Sequence, residues 1–178
     1  MAEMENEVLE KILQRRSCRD FTGEAVPEEA MKHILEAGLL APTSMNKKPC
    51  EFYLVTDKAV LEKLSRAKKA GANMLKDCSA AVAVFADSGR SDVWIEDCAA
   101  ALSFMHLAAV AEGVGSCWCQ MRRRRSLLGE DAEENVRQAL GITDEKMRIV
   151  GMLALGMPKR IAEPHYEDEA DWKKVYRI

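Results

Sequence analysis

The stretch from residue 92 to residue 112, DVWIEDCAAALSFMHLAAVAE, constrains the fold more than any other part of the chain. From Cys98 to Ala111 it carries no charge, and Ser103 and His106 are its only polar side chains. Those 14 residues fall short of the roughly 20 that a membrane-spanning helix needs. They are apolar nearly all round, so such a helix must be buried on nearly all sides. A chain of 178 residues fits one domain, on a prior of roughly 100–200 residues per domain. A domain of that size rarely encloses a long helix alone. The expectation is that a second subunit covers one face, with the alanines permitting close helix–helix approach.

Composition narrows the class. The 26 basic and 29 acidic residues leave a net charge of −3, too balanced for a nucleic-acid binder or an acidic tail. Hydrophobic residues make up 48 %, enough for a core. Ten Gly, five Pro and no repeats exclude collagen-like, low-complexity and disordered classes. Met1 to Glu10 holds four Glu and no apolar h-region, so a cytoplasmic rather than secreted protein is expected. Cys18, Cys50, Cys78, Cys98, Cys117 and Cys119 then read as reduced packing thiols. No pair has Cys-x-x-Cys spacing, and no metal site is expected.

Periodicity and punctuation place the elements. Glu3 to Gln14 reads as a helix with Val8, Leu9, Ile12 and Leu13 on one face. After a loop at 15–26, a second helix starts at Pro27 and buries Met31, Ile34, Leu35, Leu39 and Leu40 until Pro42 stops it. Residues 43–50 form a polar loop, Phe52 to Thr56 a strand, and Asp57 caps a short helix through Leu61 and Leu64. Ala80 to Ala86 is a buried strand by its continuous apolar run. Gly113 and Gly115 end the central helix, and Ser116 to Met121 is a strand. Ala132 to Leu140 is a helix closed by Gly141. Ile149 to Leu155 is the last strand, ended by Gly156 and Pro158. The polar tail, 161–178, keeps Trp172, Val175, Tyr176 and Ile178, as a docking segment would. Helices and strands do not alternate strictly, which favours an α+β fold.

Four segments could carry chemistry. Arg15, Arg16, Ser17 and Arg19 put three guanidiniums and a hydroxyl at a helix end, a set that suits a phosphomonoester. On spacing alone, a solvated basic patch at a helix C-terminus is the simpler reading. The loop Pro42-Thr43-Ser44-Met45-Asn46-Lys47-Lys48-Pro49 offers a carboxamide able to pair with a heteroaromatic edge, or is an ordinary connection. Gly113-Val114-Gly115-Ser116 lacks the third glycine of a dinucleotide fingerprint. Gly156-Met157-Pro158-Lys159-Arg160 is a turn with two cations. There is no G-x-S-x-G elbow or H-E-x-x-H helix, and His33, His106 and His165 each read as structural. The run Arg122 to Arg125 has no aromatic platform around it for nucleic acid.

Taken in order, RRSCR, APTSMNKKP, the buried helix, GVGSCW and LGMPKR resemble the nitroreductase family of flavoproteins over essentially the whole chain. Each motif alone is weak; RRSxR, A-P-[ST]-x-x-N and G-x-G-S-x-W are fairly specific as a set. The resemblance implies an α+β sandwich with a mixed, mostly antiparallel sheet flanked by helices. It implies an intertwined homodimer, central helices at its interface, with FMN between the subunits and residues 161–178 wrapping the partner. By position Arg15, Ser17 and Arg19 match binders of the ribityl phosphate, with Arg16 contributing backbone or side chain. Pro42, Thr43, Ser44 and Asn46 match the loop that approaches the flavin ring across the interface. Trp118, Cys119 and Gln120 match the strand end along the isoalloxazine, and Gly156, Lys159 and Arg160 the region near the phosphate.

The implied activity is hydride transfer from NADPH or NADH through FMN N5 to a small acceptor, such as a nitroaromatic or a quinone, by ping-pong turnover. FMN carries the chemistry and no catalytic side chain is required. Relatives doing reductive dehalogenation or flavin breakdown, and a flavin-binding redox sensor without turnover, are the alternatives. Lys48 and Cys50 stand where many members carry Gln and an aromatic residue. Only the five residues Asp87 to Ser91 separate a strand end from the central helix, which predicts an open pocket and weak substrate selection. Arg122 and Arg123, just past the flavin-facing strand, are candidates to attract an anionic acceptor or the NADPH 2′-phosphate.

Overall fold

A computed structural model of the chain describes residues 6–178. Four strands, β1 (Cys50–Val55), β2 (Ala80–Asp87), β3 (Gly115–Gln120) and β4 (Met147–Gly156), form one sheet in the order β1-β2-β4-β3. Every neighbouring pair of strands is antiparallel, and among the described residues parallel pairing is confined to the isolated bridge Ser17–Ser116. Among the described residues five α-helices flank the sheet: α1 (Glu7–Gln14), α2 (Glu28–Leu39), α3 (Lys58–Ser65), α4 (Trp94–Ala111) and α5 (Ala132–Leu140).

The run AAVAVFA is a strand because both sheet faces are covered. Ala81, Ala83 and Phe85 of β2 point into a core shared with Leu61 and Leu64 of α3 and Val136 of α5. Val82 and Val84 point into a second core with Ile34 of α2 and Leu102 and Met105 of α4. Side chains alternate across a strand, so a doubly covered strand reads as a continuous apolar segment. A register shift between Val84 and Phe85 marks a bulge against β4.

Local signals set the helix ends. Asp57 accepts the Val60 N–H at 2.9 Å and starts α3. Asp131 accepts from Glu133 and Glu134 and starts α5, which Gly141 ends in a left-handed conformation with φ 70°. Pro27 takes the cap position of α2 rather than its first helical position. Helix α1 starts one residue after Asn6, whose side chain accepts the Leu9 N–H; the expected residues 3–5 of that helix lie outside the described residues.

The central helix is sealed on one side and open on the other within a single chain. One side packs on the sheet through Cys98, Ala101, Leu102, Met105 and Ala109, all buried. The opposite stripe is only half covered or exposed: Ala100, Phe104, Leu107 and Ala111. Phe104 is 47 % exposed, as large as the exposure of Ile12 (48 %) on α1. Helix α1 buries none of its residues. Two helices thus present uncovered apolar faces on one side of the molecule.

Candidate functional site

After α1 the chain leaves the helix at Arg15 and runs extended along the start of β3. The Cys18 N–H donates to the Ser116 carbonyl at 2.9 Å. Farther on, the Thr22 N–H donates to the Met157 carbonyl at 2.9 Å and the Lys159 N–H to the Asp20 carbonyl at 3.1 Å. Segments distant in sequence therefore meet: RRSCRDF, GVGS and LGMPKR. Glycine is required at the contacts. A Cβ on Gly115 would lie 2.9 Å from Cys18 Sγ, and one on Gly156 would lie 2.8 Å from the Phe21 ring.

This junction encloses a cavity of about 710 Å³ lined by Arg16, Ser17, Arg19, Gly113, Gly115 and Arg160. Ile161, Ala162 and Pro164 form its outer wall. The start of the tail is held there by its own chain: Arg16 Nη1 donates to the Glu163 carbonyl at 2.8 Å and the His165 N–H to the Leu13 carbonyl at 2.7 Å. Three guanidiniums, a hydroxyl and glycine backbone, the kind of donors a multiply charged oxyanion requires, line this cavity together with the Asp20 carboxylate.

Arg15 does not line this cavity. Its guanidinium lies between two imidazoles, 3.4 Å from His106 Nε2 and 3.2 Å from His165 Nε2. Arginine can only donate, so both Nε2 atoms accept. His106 then carries its proton on Nδ1 and donates to Ser116 Oγ at 2.6 Å. Burial and the Arg15 charge push the His106 pKa down to about 4, which keeps the ring neutral at ordinary pH. His106, read as structural from the sequence, links the arginine segment to β3. Lys159 also lies outside the cavity lining, in an exposed ion pair with Asp20 at 2.9 Å.

The Pro42–Pro49 loop sits elsewhere. Met45, Asn46 and Lys48 all have left-handed φ values, 51°, 54° and 46°. Asparagine tolerates this region, whereas Met and Lys carry strain there. A buried carboxylate holds the loop: Asp97 accepts the Ser44 N–H at 2.8 Å and the Ser91 hydroxyl at 2.7 Å. Thr43 Oγ1 accepts the Lys48 N–H at 3.1 Å, and Lys47 pairs with Asp92 at 3.2 Å. Pro42 and Asn46 are exposed. Asp97 was legible as an acid opening an otherwise apolar helix, but nothing in the sequence tied it to Ser44.

The two clusters occupy opposite ends of α4. Asp97 anchors the loop and His106 the arginine segment, nine residues on, which is about 14 Å along a helix axis. Strand β3 connects the two ends, since Ser116 lies at the cavity and, beyond Gln120, Arg122 stacks over the Trp94 ring that opens α4, 5.8 Å from its centroid. Trp118 leans toward the α2–α4 core, and its indole N–H donates to Gln120 Oε1 at 2.9 Å. The Cys119 thiol is fully buried on the α3–α5 side and donates to the Gly71 carbonyl, which leaves its backbone for the α4 side. A larger groove of about 870 Å³, between α2 and β1, is lined by Met31, Leu35, Leu39 and Leu54 and has no comparable cluster of cations.

An antiparallel sheet between helical layers, with an arginine–serine cradle at one end of a buried helix and a strained Asn loop at the other, defines a class. The chain belongs to the nitroreductase family, whose family model matches residues 12–87 and 67–157. It is 36 % identical over 157 residues, 86 % of each chain, to an Archaeoglobus fulgidus protein provisionally named NADH dehydrogenase/NAD(P)H nitroreductase. Its fold superposes with a TM-score of 0.91 on an FMN-dependent nitroreductase from Clostridium difficile R20291, at 33 % identity, covering 95 % of this chain and 98 % of the other. A nitroreductase with bound FMN from Bacteroides fragilis matches at a TM-score of 0.74 and 27 % identity, covering 97 % and 99 %.

Proposed function

We propose that this protein is an FMN-dependent oxidoreductase that takes hydride from NADH or NADPH and delivers it to a small electrophile, a nitroaromatic or a quinone. NAD(P)H and the acceptor take turns at one open face, which is a ping-pong scheme. The names of the relatives, NAD(P)H nitroreductase and FMN-dependent nitroreductase, support the class. The observation that carries the reading is the cavity of about 710 Å³ where Arg16, Ser17, Arg19 and Arg160 converge.

The residues fit FMN. A phosphomonoester needs several cationic donors and a backbone approach with no side chain in the way; Gly113, which lines the cavity, has open space where a Cβ would stand, while Gly115 lets the Cys18 segment pack close on β3. When bound, FMN supplies the hydride-transfer chemistry. Arg16, Ser17, Arg19 and Arg160 would hold its phosphate. Arg15, braced by His106 and His165, would add positive potential from behind. Gly156 keeps the Phe21 ring seated beneath the cradle. Trp118, the Cys119 backbone and Gln120 would line the ring's long edge, and Lys159 would screen the phosphate from outside the cavity. Pro42, Thr43, Ser44 and Asn46 would reach the ring from a second copy of the chain, because within one chain they lie at the far end of α4 from the cradle.

A homodimer supplies that second copy. The uncovered stripe of α4 and the bare face of α1 support it, as do the exposed Trp172 (75 %) and Tyr176 (82 %) of a tail that would wrap the partner. Six free thiols suit the cytoplasm. Arg123 is exposed and would attract an anionic acceptor or the NADPH 2′-phosphate, while Arg122 is already stacked on Trp94.

The test is steady-state kinetics on the FMN-loaded protein with NADPH and a quinone. Parallel double-reciprocal lines are expected; intersecting lines contradict alternation at one site. Arg19→Glu should weaken FMN retention at least tenfold, since a charge-assisted hydrogen bond is worth about 1.5–3 kcal/mol. Retention matching the parent's would remove the cradle from the account.

A further inference from the structure

Two cysteines that the flavin site does not use face each other. Cys50 opens β1 directly after the strained loop, and Cys98 lies one residue past Asp97 in α4. Their sulfurs are 3.8 Å apart. Cys50 is half-buried, whereas Cys98 is fully buried. We propose that Cys50 and Cys98 form a peroxide-reactive dithiol, a modification site at which a hydroperoxide is reduced and a disulfide is formed beneath the Pro42–Pro49 loop. This goes beyond the flavin reading and does not depend on it.

The geometry assigns the roles. A reactive thiol needs access and a stabilised thiolate, and a resolving thiol needs only proximity. Cys50 has the exposure. The thiol–thiol contact with Cys98 lowers the Cys50 pKa, outweighing burial and the nearby Asp97 charge, and the same pairing raises that of Cys98. The remaining thiols lack this combination. Burial pushes Cys78 and Cys119 up to about 11. Cys117 is also buried and raised, and its sequence neighbour on the same sheet face is the equally buried Cys119. Cys18 is half-buried, and its thiol donates to the Asp20 carbonyl at 3.4 Å.

The chemistry balances. The Cys50 thiolate attacks the distal oxygen of the hydroperoxide. The O–O bond breaks, and the leaving alkoxide or hydroxide takes up the proton released from Cys50. Cys50 is now a sulfenic acid. The Cys98 sulfur attacks it, the S–O bond breaks, and the departing oxygen leaves as water with the Cys98 proton. Two thiols have lost two electrons, and one hydroperoxide has become one alcohol (or water) and one water. The sulfurs must close from 3.8 Å to about 2.05 Å. That movement draws the start of β1 toward α4 and tethers the loop that Asp97 holds.

The test treats the full-length protein with hydrogen peroxide, then alkylates remaining thiols after denaturation and maps peptides by mass spectrometry. A Cys50–Cys98 linked peptide is expected, reversed by dithiothreitol, with the other four of the six cysteines alkylated. In Cys98→Ser, Cys50 should pass on to sulfinic and sulfonic acid. In Cys50→Ser, which alters only a half-buried position, Cys98 should remain alkylatable. Full alkylation of both cysteines in the treated parent protein overturns the proposal. So does overoxidation of Cys50 at equal rates in the parent and in Cys98→Ser. Because the readout is a peptide mass, its failure leaves the flavin reading untouched, and failure of FMN binding leaves the dithiol untouched.

Discussion

The two faces of the sheet are closed to different degrees. On the α3–α5 face, Leu61, Leu64, Leu75, Val136 and Ile149 are all fully buried, and the layer is sealed by its own chain. On the other face α4 is sealed toward the sheet but open along Phe104 and Leu107, and α1 beside it has none of its own residues buried. The arginine cradle and the Asn46 loop lie toward the two ends of α4, while the Cys119 thiol points into the sealed face. The sealed face pays for the fold, while the open face keeps the apolar surface and strained backbone that the proposed dimer and flavin site would use. Strain is concentrated there too, in the left-handed Met45, Asn46 and Lys48.

The largest expected effect tests the sealed face. Leu64→Ala should cost about 2–5 kcal/mol of folding stability through lost burial and a cavity, read as a drop in thermal midpoint. FMN affinity of the folded fraction should stay at the parent value. A changed affinity at constant stability would break the division between the faces.

The next effect is a pH dependence from His106. Its pKa falls from the ordinary 6.5 to about 4 on folding, so between those values the unfolded chain binds the proton and the folded one does not. Stability from this group is therefore present above about pH 6.5 and is lost as pH falls toward 4, by about 3 kcal/mol in all. Denaturant unfolding at stepped pH should show this slope, and His106→Asn should flatten it. An unchanged slope in that variant would take His106 out of the brace behind Arg15.

Gly115→Ala should cost about 1–3 kcal/mol as the new Cβ crowds Cys18 and, unlike Leu64→Ala, should weaken FMN binding as the cradle segment shifts. Wild-type retention would mean that the close approach of RRSCR to β3 is not part of the site. The smallest effect on chain stability is expected for Phe104→Asp, within about 0.5 kcal/mol for an exposed position. Sedimentation should nevertheless report lost self-association. An unchanged oligomer would remove the α4 stripe from the interface.

Much of the fold was legible because its signals are local. Helix α5 spans Ala132–Leu140 and is closed by Gly141 as expected, and Asp57 caps α3 as read. The glycines of GVGS and LGMP marked the motifs, and the structure supplies their reason in Cys18 and Phe21. What stayed hidden depends on contacts between distant residues. That Arg15 turns inward is set by His106 and His165, 91 and 150 residues away. The Asp97 anchor bonds Ser44 across 53 residues, and the Cys50–Cys98 pair spans 48. The face taken by Cys119 follows from β3 register against β4, which a short strand with alternating cysteines does not reveal.

The central claim is that the arginine cradle of one chain and the Asn46 loop of another complete a single site. Subunit complementation tests it most directly. Two inactive variants, Arg19→Glu and the loop double variant Thr43→Ala/Asn46→Ala, would be co-expressed with different affinity tags and the hybrid purified in the presence of FMN. If the site is shared, each hybrid has one site bearing both lesions and one bearing neither, and NADPH–quinone turnover returns to half the wild-type value per dimer. If cradle and loop act within one chain, both sites of the hybrid remain defective and turnover stays at the level of the inactive parents.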